Sequence, residues 1–213
     1  MVELSTILGV VSGLSVTIPG ILLLSRFGKI KLTPLRNLTL IVSSFAVLHG
    51  LYHFSLVAGL ADLGFVLDFL TSVILVVMAV YYTEKVIGAG LFLLAFSDVS
   101  GALRNLVPVM LVVALVLFAR LAIKSKSLSS LQSQLSVFLM IWIIAELLRA
   151  LISVGMITAT PALQLLGLEV HTLAMVAFGG FLLFRFYRVS SRSKALPADW
   201  LAEGKERKNL DAS

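Results

Sequence analysis

The sequence predicts an all-α, polytopic integral membrane protein built as a bundle of seven transmembrane helices. Three observations carry that expectation. The 213 residues are 59% hydrophobic and only 13% charged, whereas soluble domains are about 45–50% apolar and about 25% charged. The mean hydropathy is +1.06. The apolar runs are each about the 20 residues that a bilayer-spanning helix needs, and together they use nearly the whole chain.

Taken in order, the first predicted helix covers roughly 5–25, with Pro19 inside it. Neighbouring helices in a membrane bundle can satisfy the backbone groups that such a proline frees. No basic leader with a small-residue cleavage site precedes it, so it reads as a retained signal-anchor. A basic loop with Arg26, Lys29, Lys31 and Arg36 follows. The second helix, 37–60, carries His49 and His53, and the third, 63–83, carries Asp68 with Thr71 and Ser72. The fourth, 86–103, has glycines at 88, 90 and 101 and Asp98 near its end. The fifth, 105–123, is almost purely apolar and leads into a second basic loop with Arg120, Lys124 and Lys126. The sixth, 133–157, carries Glu146 and Arg149, and the seventh, 163–187, carries Glu169 and His171. Residues 1–188 form the bundle in this reading, and 189–213 form a polar cytoplasmic tail.

Lys and Arg concentrate in loops 26–36 and 119–130 and in the tail. The positive-inside rule places that set in the cytoplasm, with the N-terminus outside. An odd number of spans is then required, and seven satisfies it only if 86–103 crosses. The expected location is the cell membrane and the expected partner is the lipid bilayer, with other membrane subunits as further candidates. The net charge of +6 sits beside the spans, so nucleic acid is not expected as a partner. The absence of cysteine excludes thiolate metal sites and cysteine-held clusters.

Ionisable side chains in apolar spans are expensive and mark function by default. At about 1.5 Å of rise per residue, His49, His53, Asp68, Glu146, Arg149 and His171 all fall from the midplane outward. His49 and His53, four residues apart, share a helix face. With His171 they can ligate a metal ion or, as a bis-imidazole pair, a b-type haem. Gly50, Gly179 and Gly180 would clear space for the haem ring, with Met175 an alternative axial ligand. Asp68 can be a metal ligand, hydrogen-bond a histidine or be a neutral, protonated acid. Glu146 and Arg149, three apart, form a buried polar pair. Glu169 and His171 point about 200° apart, so only one of them can face inward.

Seven spans with the N-terminus outside resemble the microbial rhodopsins, but no lysine lies between Pro161 and Arg185 to form their Schiff base. Ser44, His49 and Asp68 are similar to the serine, histidine and aspartate on helices 2 and 3 of the seven-helix metal-dependent hydrolases, typified by alkaline ceramidases and adiponectin receptors. Their last helix has two histidines, where this chain has His171 and then Met175. These scattered positions assign no family. Three functions follow as expectations: a haem or metal site for electron transfer or metal handling, a non-enzymatic accessory, assembly or sensory subunit, and a metal-dependent hydrolase using Asp68 or Glu146 as acid–base.

Overall fold

The computed structural model describes residues 3–31, 33–83, 99–125 and 130–191, and all of its regular structure is helical. Among the described residues, six long helices are apolar enough to cross a membrane. They are α1 (Leu4–Leu24), α2 (Thr33–Val57), α3 (Ala61–Thr83), α4 (Val99–Lys124), α5 (Leu131–Ser153) and α6 (Pro161–Phe181). α6 continues through a π-helical turn, Leu182–Phe186, into the short α7 (Tyr187–Ser191).

Local sequence explains the helix ends. α2 and α5 stop at Gly59 and Gly155, which have φ of 75° and 76°. In that left-handed conformation Leu60 N donates to Ser55 O at 2.8 Å, and Met156 N donates to Leu151 O at 3.0 Å. These six-to-one bonds close the two ends and favour glycine there. α5 starts where Ser130 Oγ accepts from Ser133 N at 3.1 Å. α6 starts where Thr160 Oγ1 accepts from Leu163 N at 3.2 Å, with Pro161 at its first position. Both follow the usual chemistry of helix starts.

Each helix packs against its neighbours in sequence, and α1 packs against α6 to close a ring. α1 wedges behind both α2 and α6. A Cβ at Gly50 would overlap Thr17 Oγ1, and one at Gly179 would overlap the Ser15 carbonyl. These two glycines therefore serve close helix approach to α1, which is where the clearance anticipated for a haem ring is spent. Ser12 Oγ also donates to Thr172 Oγ1 at 3.0 Å across the α1–α6 seam.

One end of the bundle gathers the basic residues. Arg26 donates to the Tyr187 hydroxyl through Nε at 3.0 Å and also through Nη2. Arg185 Nε donates to Gln134 Oε1 at 3.0 Å, and the Ser125 and Ser130 hydroxyls meet at 2.8 Å. The ends of α1, α4 and α6 and the start of α5 therefore share this basic end. α2 runs away from it, and α3 returns, with Gly64 near its start facing Leu56 near the end of α2. α3 and α4 consequently run in the same direction, so the chain leaves α3 at the basic end and enters α4 at the opposite end.

Hydropathy predicts one helix ending at 103 and another starting at 105. The structure instead runs one helix through Arg104 and Asn105. Hydropathy marks where apolar side chains stop, but a helix continues as long as its backbone bonds do. The remainder of the predicted fourth helix, Asp98 included, lies outside the described residues, as does most of the tail.

Candidate metal centre

The three histidines meet. His49 and His53, one turn apart on α2, and His171 on α6 direct their Nε2 atoms at a common point. The separations are 3.2 Å for His49–His53, 2.9 Å for His53–His171 and 3.4 Å for His49–His171. The rings are 0%, 2% and 0% exposed, respectively. Among the described residues they form the one group of three or more metal-ligating side chains.

Neutral imidazole carries one N–H, on either Nδ1 or Nε2. A triangle of three Nε2 atoms accommodates one shared proton, because a second would set two N–H groups against each other. At least two rings therefore present bare lone pairs to the same point, and a cation placed there removes the repulsion. A tetrahedral zinc-like ion with bonds of about 2.0–2.1 Å spaces its nitrogens about 3.3–3.4 Å apart. The observed triangle is slightly smaller, so all three nitrogens could reach one such ion.

Aromatic side chains wall the centre. Phe45 stacks on His49 with centroids 5.9 Å apart, and Trp142 stands edge-on to His49 at 4.8 Å. Phe45 also meets Phe178 at 5.8 Å. On the far side of His171, Nδ1 lies 2.8 Å from Glu146 Oε2. That approach is short but off the line of a directed hydrogen bond, so it acts mainly through charge. Glu146 Oε1 accepts from Arg149 Nη2 at 2.7 Å and from Nε at 3.2 Å. The Arg149 guanidinium also lies over the Tyr52 ring, 5.0 Å from its centroid. A chain of contacts thus runs from Tyr52 through Arg149 and Glu146 to His171.

The other anticipated residues are placed as follows. Asp68 on α3 stands outside the histidine triangle. Its Oδ1 is buried without a hydrogen-bond partner, and its carboxyl lies close enough to Glu146 to interact with it electrostatically. Glu169 is exposed and His171 is the inward member of that pair. Met175 is fully buried in the apolar core, and Ser44 is half-buried. Two contacts were not anticipated. The Glu146–His171 approach depends on how α5 and α6 are rotated against each other, which helical periodicity does not report. Arg149 over Tyr52 depends in the same way on α2 and α5.

No protein-family model matches the chain, and neither a curated protein nor a solved structure is significantly similar to it. The molecule is a membrane-like helical bundle with a buried His49, His53 and His171 group that could hold a metal ion.

Proposed function

We propose that this protein is a multi-pass cell-membrane protein that holds one small transition-metal ion, zinc-like in its demands, through Nε2 of His49, His53 and His171. The observation that carries the reading is the convergence of three buried Nε2 atoms within 3.4 Å of one another. Imidazole suits zinc, copper and iron, and three nitrogens with no thiolate fit a zinc-like ion well. Glu146 Oε2 stands 2.8 Å behind Nδ1 of a ligand histidine, where a carboxylate's charge raises ligand basicity.

The same distances favour a single ion over haem. Two axial imidazoles on opposite faces of a porphyrin need roughly twice a metal–nitrogen bond of about 2.0 Å between them. The histidine nitrogens of α2 and α6 are closer than that, at 2.9 and 3.4 Å, and α1 fills the faces of Gly50 and Gly179, while Gly180 faces open space. Glu146 is committed to His171 and Arg149, so in a hydrolase the acid–base role would fall to Asp68.

The proposed topology has seven crossings, with the basic end in the cytoplasm. It is supported by the parallel course of α3 and α4.

The test is elemental analysis together with a visible absorption spectrum of detergent-purified protein. One equivalent of a first-row metal per chain, without a haem band and lost on His53→Ala, is the expected result. A haem band with stoichiometric iron, or no retained or rebound metal at all, would overturn the reading.

A further inference from the structure

We infer that the metal centre is open: its fourth position takes a small exogenous oxygen or nitrogen donor, preferentially an anion, which accepts a hydrogen bond from Trp142. This deepens the metal reading and rests on it.

Three features support the inference. First, the described residues supply three ligands to the centre, His49, His53 and His171, and no fourth. Structural zinc sites are closed by four protein ligands, whereas sites with three leave a position for water or substrate. With three corners of a tetrahedron taken by the histidines, the fourth would face away from their triangle.

Second, Trp142 Nε1 is buried without a hydrogen-bond partner. Its ring centroid lies 4.8 Å from that of His49 and 6.3 Å from that of His171. Indole is a donor only, and a buried orphan donor calls for an acceptor. A ligand in the open position would supply one.

Third, the charges require an anion. Glu146 and Arg149 offset each other through the pair at 2.7 Å. A divalent ion then leaves two positive charges in an apolar interior, where uncompensated charge is costly. A small anion on the ion offsets one of them.

The test uses the full-length protein in lipid nanodiscs loaded with cobalt(II), whose visible bands report coordination number, with azide as the probe. Stoichiometric cobalt with intense four-coordinate bands that shift saturably on adding azide is expected. Stoichiometric cobalt whose bands stay unmoved by azide would overturn the open position and leave the metal reading standing. Failure to take up cobalt would overturn both. Trp142→Phe, with cobalt measured in the same sample, should weaken azide binding by about 2–10-fold, the equivalent of one neutral hydrogen bond. Unchanged azide affinity in that variant would overturn the role given to Trp142.

Discussion

Removing Arg149 should harm the bundle more than removing Glu146, and removing both should harm it least. Glu146 is 1% exposed, while Arg149 keeps 26% of its side chain exposed. In Arg149→Leu the carboxylate loses donors at 2.7 and 3.2 Å and has no route to water. An uncompensated buried charge of this kind costs about 3–5 kcal/mol. In Glu146→Leu the guanidinium can turn outward on its long stem. Together with the lost contact to His171 Nδ1, the cost is then nearer about 2 kcal/mol. The double variant leaves neither charge unpaired, and replacing a buried pair by apolar residues is often neutral. The expected order of stability is wild type close to the double variant, then Glu146→Leu, then Arg149→Leu. With the double variant close to wild type, the coupling energy from the double-mutant cycle is expected to be about 5–7 kcal/mol, the sum of the two single costs. Equilibrium unfolding of chelator-treated protein in bicelles measures all four corners without a contribution from bound metal. Additivity to within about 0.5 kcal/mol, or an Arg149→Leu variant no worse than Glu146→Leu, would refute the reasoning.

Further outcomes follow from the same geometry. Glu146→Gln keeps the size of the side chain but removes the charge behind His171, so metal affinity measured by competition with a chromophoric chelator should fall about 10–100-fold. His49→Ala and His53→Ala should each lose stoichiometric metal, while Glu169→Gln, at an exposed position, should retain it in the same elemental analysis. Gly50→Ala would set a Cβ against Thr17 and against the Gly13 carbonyl at 2.9 Å. It should therefore destabilise the bundle by about 1–3 kcal/mol. Gly180→Ala, with nothing within 4 Å of the added atom, should melt within a few degrees of wild type. Equal melting temperatures for the two glycine variants would remove the tight α1–α2 seam from the explanation.

Parts of the centre were legible in the sequence because they are local. His49 and His53 are four apart, and Glu146 and Arg149 are three apart, so one helix brings each pair together whatever the tertiary structure. Their depth followed from residue counts, and it put His171 level with the α2 pair. The inward choice between Glu169 and His171 was not legible. Both faces of α6 carry polar side chains, and the outcome depends on which of them meets α1 and α5. Thr172, bonded to Ser12 of α1, and His171, beside Glu146 of α5, settle it. The roles of Gly50 and Gly179 were misread for a related reason. A glycine marks a close approach, but only the packed structure shows that the approaching atoms belong to α1. The break expected at Arg104 and Asn105 failed because polarity was read as a helix end.

X-ray absorption at the metal edge of zinc- or cobalt-loaded protein tests the proposed centre most directly. Three imidazole nitrogens at about 2.0–2.1 Å, with one further light atom completing four-coordination, is the expected spectrum. Fewer than three imidazoles, or a six-coordinate ion dominated by water, would show that His49, His53 and His171 converge without binding metal together.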